Sequence, residues 1–206
     1  MLRKHIEDIV PLNDDEFQFI KEFFDIKFYK KGSFIIEVDQ HVKHVFLVKS
    51  GLLKLIYHDS SGKEHIISFA MEEWWETDYS AWFSGHPAKL SLKCIEHTEV
   101  YCLSLDSYHI LCSKLQKMES FFLHKANRGH LASQNRILSF LTDSPHEKYS
   151  RLLSVQPALI QRVPKATLAA YLGLSRETLS RLWRTSKANR NLIVLVGLKV
   201  LLINLI

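Results

Sequence analysis

Residues 172–182 read LGLSRETLSRL and combine leucine with charged and hydroxyl side chains at short spacing. Ser175 is a residue type that N-caps helices, so the sequence predicts that a helix begins here. With Leu179 and Leu182 facing inward, helical spacing leaves five polar side chains on the outer face. They are Arg176, Glu177, Ser180, Arg181 and Arg184. Arginine can donate two hydrogen bonds to guanine and glutamate can accept one from cytosine N4, so this face has the chemistry needed to read base edges.

A second helix is predicted just before this one. Pro164 suits the start of a helix over Lys165 to Tyr171, and Gly173 can adopt the left-handed conformation that a turn between two helices needs. Ala169 is small enough for the second helix to cross it. The apolar residues available to fill the angle are Leu168, Leu172, Leu174, Leu179 and Leu182. The segment therefore meets the demands of a helix-turn-helix, the motif whose second helix enters the major groove of DNA.

The polar residues around this motif have two interpretations. Lys165, Arg162 and Ser175 are placed to hold phosphates, which fixes the register of a DNA complex without reading its sequence. In the alternative, Glu177 and Arg181 form an i,i+4 surface ion pair that serves only helix stability. The charge distribution favours the first interpretation. Residues 146–190 hold 9 Lys and Arg against 2 Asp and Glu, whereas residues 1–145 hold 17 against 20, so the basic excess of the chain lies around the motif.

The first part of the chain has the pattern of an antiparallel β-structure. Residues 2–24 predict two short helices, the second starting at Asn13 with Glu16 three residues later as a capping box. From 28 to 70, and again from 90 to 105, short β-branched and aromatic runs alternate with turn residues. Because no helical run separates these strands, the sequence predicts an antiparallel sandwich or jelly roll and not a parallel sheet.

A long helix is predicted over about residues 106–141. Its stripe at three- and four-residue steps consists of Phe122, Ala126, Gly129, Ser133, Ile137 and Phe140. The stripe either packs on the sandwich of its own chain or, because it is rich in small residues, allows the same helix of a second chain to approach closely. Ser144 and Glu147 then form the capping box of a new helix with Pro145 at its first position. The predicted architecture is α+β, with a sensor domain over 1–141 and a winged-helix-like helix-turn-helix domain over 142–206.

An antiparallel sandwich, a long helix and a C-terminal helix-turn-helix containing SRETLSR together resemble the CRP/FNR family of bacterial transcription regulators, over about residues 10 to 184. The resemblance implies that the chain is a homodimer joined along the long helix and that Arg176, Glu177 and Arg181 read bases of double-stranded DNA. It further implies a TGTGA-like half-site repeated in an inverted, symmetric operator, and a contact with RNA polymerase if the chain activates transcription.

The same resemblance directs attention to residues 74–93 as an effector site. Family members that bind cyclic nucleotide hold its phosphate with a Gly-Glu-containing helix and an Arg-Ser pair. Here no glycine precedes Glu76, and Ala88 and Lys89 stand where the pair is expected, so cyclic AMP is not the expected effector. The candidate pocket for another small molecule consists of Glu76, Trp75, Tyr79, Trp82 and Lys89. The alternative is that these aromatic residues belong to the core of the sandwich.

Other classes of site find little support in the sequence. Cys94, Cys102 and Cys112 are odd in number and no secretory leader is visible, which predicts a reduced, cytoplasmic protein. Because no cysteine precedes Cys94, the N-terminal cysteine group of an iron–sulfur sensor is excluded. His109 and Cys112 would share a helix face, but Cys94 and His97 would lie on opposite faces of a strand, so neither a metal nor a cofactor is predicted. No catalytic constellation stands out, and we expect no enzyme.

The C-terminal residues 192–206 depart from the family pattern because they form an apolar run. The run is 15 residues long and is interrupted by Lys199 and Asn204, so it is shorter than the ~20 residues that span a membrane, and no membrane contact is expected. An extra strand or helix, a partner-binding patch and a segment without selected function are all open interpretations. The alternative function for the whole chain is a small-molecule-binding or protein-interaction module that does not bind DNA.

Overall fold

The strands of the chain pair into two antiparallel sheets of four strands each. In chain order they are β1 (Asp25–Tyr29), β2 (Phe34–Ile36), β3 (His44–Ser50), β4 (Leu53–His58), β5 (Glu64–Ala70), β6 (Trp75–Glu76), β7 (Ser91–Cys94) and β8 (Thr98–Ser104). One sheet has the order β1-β8-β3-β6 and the other β2-β7-β4-β5. The predicted antiparallel sandwich is confirmed. The structure is a computed structural model, and it describes residues 1–185.

Alternating side chains of the two sheets form the interior of the sandwich. Phe46 pairs with Cys102, and Val48 pairs with Val100, so these four side chains share one face of their sheet. The other sheet contributes a second buried set to the same cluster: Ile36, Leu53, Leu55, Leu92 and Cys94. Burial of this apolar face is the main stabilising contribution to the sandwich.

The turn between β3 and β4 requires a glycine. Gly51 has a φ of +104°, and a Cβ at this position would lie 2.5 Å from the carbonyl oxygen of His97. Both the left-handed backbone and the close approach of the neighbouring turn exclude a side chain here. Gly51 is therefore fixed by packing as well as by turn geometry.

Five helices accompany the sandwich: α1 (Leu2–Glu7), α2 (Asp14–Lys21), α3 (Tyr79–Ser84), α4 (Leu105–Lys114) and α5 (Gln116–Thr142). The predicted capping box of α2 is present, since the Asn13 side chain accepts from the Glu16 N–H and the Glu16 side chain accepts from the Asn13 N–H. A second apolar cluster joins Ile6 of α1 and Phe121 of α5 to Leu47 of β3. The predicted single helix over 106–141 is two helices, because Leu115 has extended backbone angles that end α4.

The chain divides into two compact units, Met1–Gln134 and Asn135–Ile206, and the division falls within α5. The second unit contains α6 (Pro145–Val155), α7 (Pro157–Arg162), α8 (Lys165–Leu172) and a helix over 176–185 that we call α9. The predicted capping box of Ser144 and Glu147 begins α6, with Pro145 in its first turn. Within residues 1–185, no helix is both long enough and apolar enough to cross a membrane. The apolar run 192–206 lies outside the described residues.

Candidate nucleic-acid interface

The turn between α8 and α9 has the geometry that the sequence predicted. Gly173 ends α8 in the left-handed conformation, with a φ of +66°. The Leu174 N–H donates to the carbonyl of Ala169 at 2.9 Å, and the Gly173 N–H donates to that of Ala170 at 3.2 Å. These bonds satisfy carbonyl groups at the end of α8 while the chain reverses direction. A Cβ on Gly173 would lie 2.9 Å from Cε1 of Phe140, so a side chain would also disturb the packing beneath the turn.

Ser175 caps the start of α9, as predicted. Its hydroxyl accepts the Thr178 N–H at 3.1 Å, and its carbonyl accepts the Leu179 N–H at 3.0 Å. The cap fixes where the helix begins and therefore which side chains occupy its exposed first turn. The pKa of the Glu177 carboxyl is lowered, first because its own backbone N–H donates to it and then because the Ser175 hydroxyl does so. Glu177 is therefore a carboxylate at neutral pH and can only accept hydrogen bonds.

The inner sides of α8 and α9 are apolar. Leu168 and Leu179 are fully buried, and Ala169 and Leu172 are nearly so. Leu174 and Leu182 are half-buried at the edge of the same packing. The predicted division of α9 into an inner leucine side and an outer polar side is therefore present in the structure.

The outer side of α9 carries the predicted polar residues. Arg176, Glu177, Arg181 and Arg184 are exposed, and Ser180 is half-buried. Among the residues that the structure describes, no ion pair joins Glu177 to Arg181. The surface-pair interpretation thus has no support in the geometry, and these side chains remain available to an external partner.

The predicted phosphate-binding residues lie on three separate elements of the second unit. Lys165 begins α8 and its Nζ lies 4.6 Å from the centroid of the Trp183 ring. Trp183 in turn lies beside Tyr149 of α6, with ring centroids 6.4 Å apart. Arg162 is half-buried at the end of α7. Trp183 is therefore an aromatic support that positions Lys165 beside α9.

Sequence reasoning missed one residue that supports the turn. The guanidinium of Arg136 lies 3.7 Å from the ring centroid of Tyr171, and its Nη2 donates to the Tyr171 carbonyl at 3.1 Å. The same guanidinium lies 4.7 Å from the ring of Phe140, which underlies Gly173. The signal that could have identified this cluster is the i,i+4 spacing of Arg136 and Phe140 on one face of α5.

The candidate effector residues lie in different environments. Trp75 belongs to the cluster beneath α1 and α5, and its Nε1 donates to Nε2 of His5 at 3.0 Å. Glu76 is buried beside Ser68, whose hydroxyl donates to it, and burial raises the pKa of the Glu76 carboxyl to about 7. Successive residues of a strand point to opposite faces, which is why these two side chains occupy different environments.

The remaining candidate effector residues are also separated by burial. Trp82 is part of the core, whereas Tyr79 and Lys89 are exposed. The Lys89 N–H donates to the buried Asp78 carboxylate at 2.9 Å, so its backbone and not its ammonium group is held at this site. The core interpretation fits Trp75 and Trp82, and the effector set stays a prediction. Within residues 1–185, no group of three His, Cys, Asp or Glu side chains is placed to hold a metal ion.

Comparisons with known proteins support the fold described above. Residues 26–114 match the family described as the cyclic nucleotide-binding domain. The transcriptional regulatory protein btr of Bordetella pertussis is 25% identical over 194 residues, covering 84% of this chain and 79% of that protein. The structure of FixK2 from Bradyrhizobium japonicum aligns with a TM-score of 0.70 at 18% identity, covering 81% of this chain and 85% of that one. A protein from Eubacterium rectale assigned to the crp/fnr family of transcriptional regulators aligns with a TM-score of 0.64 at 17% identity, covering 86% and 85%.

Proposed function

We propose that this chain, a regulator of the CRP/FNR type by its cyclic nucleotide-binding-type domain and its fold, is a dimeric, sequence-specific DNA-binding protein that reads an inverted-repeat operator with α9. The observation that carries the proposal is the outer side of α9, where Arg176, Glu177 and Arg181 are exposed at the start of a helix fixed by Gly173 and Ser175. Proteins similar to this chain are transcriptional regulators, and the chain is not an enzyme.

The exposed residues of α9 divide into two roles. Arg176 and Arg181 supply donors for guanine, and the ionised Glu177 supplies an acceptor for cytosine N4. A further set holds the sugar-phosphate backbone: Ser175, Ser180, Arg184, Lys165 and Arg162. Because the Ser175 hydroxyl is engaged in the cap, its contribution to DNA is to place the first N–H groups of α9 toward a phosphate.

The exposure of α5 supports a dimer. Ile137 and Leu141 are 61% and 78% exposed within one chain, and a Cβ built on Gly129 meets nothing within 4 Å. A helix that leaves this much apolar surface uncovered is suited to pairing with the same helix of a second chain. Two copies of α9 would then read half-sites whose centres lie about 34 Å apart, one turn of DNA.

The small-molecule effector of the dimer is not cyclic AMP in this proposal. Ala88 is buried, and its N–H donates to the carbonyl of Gln40 at 2.8 Å, so the position expected to supply an Arg-Ser phosphate contact offers neither a guanidinium nor a free N–H. If the chain activates transcription, RNA polymerase is the protein partner.

Selection of binding sites from random duplexes tests the DNA-binding proposal directly. We expect enrichment of an inverted repeat, with affinity that falls steeply with salt because lysine and arginine release counterions from phosphates. Arg176→Ala should relax the preference at one G·C pair in each half-site, whereas Lys63→Ala, an exposed charge on the β4–β5 turn, should leave the preference unchanged. A chain that enriches no sequence and shows no salt-dependent affinity for duplex DNA would instead be a ligand-binding or protein-interaction module.

Replacement of Gly129 tests the dimer separately from DNA binding. Gly129→Leu adds a side chain where one chain has open space, so the single chain should fold normally while close approach of a second α5 is blocked. We expect the mass measured by light scattering to fall from that of two chains to one. Asn135→Leu, at an exposed position on the other side of the helix from Gly129, Ile137 and Leu141, is the matched control and should remain a dimer. A dimeric Gly129→Leu variant would move the interface away from this stripe.

A further inference from the structure

A cavity of about 230 Å³ lies at the edge of the sandwich formed by β1 and β2. It is not part of the candidate effector set, because Glu76 lies on β6 and bonds to Ser68 of β5, and these strands form the opposite edges of the two sheets. The side chains that define its chemistry are Lys27, Tyr29, His41, Lys43, His44 and Phe46.

Strand register explains why charged side chains reach this cavity. Lys27 pairs with Val100, which in turn pairs with the buried Val48, so Lys27 lies on the face of the sheet that forms the sandwich interior. His44 lies two residues before the buried Phe46 and therefore shares its face, with ring centroids 6.2 Å apart. At the open edge of the sandwich, the polar ends of Lys27 and His44 therefore lie next to apolar side chains of the interior.

The loop before β3 contributes two more polar side chains to the cavity, His41 and Lys43. His41 is fixed by a hydrogen bond of 3.1 Å between its Nδ1 and the carbonyl oxygen of Gly85. Because a carbonyl only accepts, Nδ1 carries the hydrogen and Nε2 is the ring atom left for another partner. Lys43 follows two residues later and also lines the cavity. Two lysines and two histidines therefore line this side of the cavity, from β1, the loop before β3 and the start of β3.

Positive charge in the cavity is not neutralised from within. None of the described residues that line it is acidic, and in the described part of the chain neither Lys27 nor Lys43 forms an ion pair. Burial lowers the pKa of His44, and Lys27 and Lys43 lower it further, while Asp25 acts in the opposite direction. The two like-charged lysines that line this concave site are stabilised by a bound anion.

We infer that this cavity binds a small organic anion, with its carboxylate or phosphate group between Lys27, Lys43 and the two histidines and its apolar part against Tyr29 and Phe46. The volume of the cavity suits a small organic anion, because it is below the roughly 300–1,000 Å³ of sites that hold drug-sized ligands. The two lysines present separate ammonium charges, so both head groups are compatible with the site. The inference does not depend on DNA binding by α9.

Calorimetric titration of the full chain tests the site with phenyl phosphate, benzoate and benzyl alcohol as probes. We expect at least one of the two anions to bind saturably at one molecule per chain, and the uncharged alcohol not to bind. The anion that binds more tightly identifies the preferred head group. Lys27→Gln combined with Lys43→Gln should weaken binding at least about tenfold, since two charge-assisted contacts are lost.

Two control variants separate this site from general attraction and from the α9 surface. Lys30→Gln with Lys31→Gln removes the same charge from exposed positions that do not line the cavity, and affinity should change by less than about twofold. Arg176→Ala with Arg181→Ala removes the rival anion-binding surface and should leave probe binding intact. The inference is wrong if neither anion binds saturably, if the Lys30 and Lys31 variant loses as much affinity as the cavity variant, or if loss of the α9 arginines abolishes binding.

Discussion

The outer side of α9 and the aromatic cluster around Trp75 differ in what surrounds their functional-looking side chains. On α9, the arginines and Glu177 are exposed and are positioned by a cap and a turn that lie within ten residues of them. Around Trp75, the polar groups bond to one another inside the core, as His5 and Trp75 do. Side chains that satisfy each other within the fold stabilise it, whereas side chains that the fold leaves exposed are free to bind a partner.

The largest expected effect of a substitution is the loss of operator affinity when arginines of α9 are replaced. Arg176→Ala combined with Arg181→Ala removes two donors for guanine in each half-site, each worth about 1–3 kcal/mol of base discrimination, so affinity for the selected operator should fall at least about thirtyfold. Because both side chains are exposed, the midpoint of thermal unfolding should not change. Competition binding against a scrambled duplex measures the first quantity, and calorimetry the second. Equal losses on both duplexes would assign the arginines to phosphates.

The helix-turn-helix and the cluster around Trp75 also differ in how much of their structure the sequence predicts. The helix-turn-helix could be located because Gly173, Ser175 and the leucines act over short spacing, and a few residues determine the local backbone. The environments of Trp75 and Trp82 depend on α1, β3 and α5, which are distant in sequence, so residue types alone left both the core and the pocket interpretation open. The cavity at the β1–β2 edge was missed for the same reason, since its lysines and histidines converge only through strand register.

In the first unit, the buried Glu76 carboxyl allows a test of how burial changes stability with pH. Folding raises the Glu76 pKa from 4.5 to about 7, so the fold favours the neutral acid. This contribution to the free energy of unfolding is complete below pH 4.5 and is lost as pH rises through 7. Glu76→Gln keeps the shape without the charge, and we expect it to be about 3 kcal/mol more stable than the parent chain at pH 8 and no more stable at pH 4.5. Urea unfolding at the two pH values measures the difference.

The contribution of His5 to the free energy of unfolding changes with pH in the opposite direction, so it provides an internal check on that measurement. Burial lowers its pKa from 6.5 to about 4, so stability from neutral His5 is complete above pH 6.5 and is lost as pH falls toward 4. In the parent chain the two slopes oppose each other between pH 4.5 and 6.5. The Glu76→Gln variant should therefore become more stable with rising pH across this window. A variant that gains the same stability at both pH values would show that folding does not raise the Glu76 pKa.

The turn before α9 is expected to tolerate change less than a similar turn in the first unit. Gly173 and Gly85 both end helices in the left-handed conformation, but only Gly173 would place a Cβ against Phe140. Gly85→Ala should cost about 1 kcal/mol for the backbone conformation alone, and Gly173→Ala about 2 kcal/mol because the Phe140 ring must also move. Denaturant unfolding gives both values. Equal costs would mean that Phe140 yields freely, and the support of α9 by Arg136 and Phe140 would then need another explanation.

The smallest expected effect separates phosphate contact from packing at Lys165. Its ammonium group lies over Trp183, so the side chain could act on DNA or only on the stability of the second unit. If it holds a phosphate, Lys165→Ala should weaken binding about equally on all duplexes, by a few-fold, and reduce the slope of log affinity against log salt by about 1. Lys63→Ala should change neither the affinity nor the slope. If Lys165 acts only by stacking, the variant would instead lower the unfolding midpoint and keep the salt slope, and the basic surface beside α9 would then be limited to residues of α9 itself and Arg162.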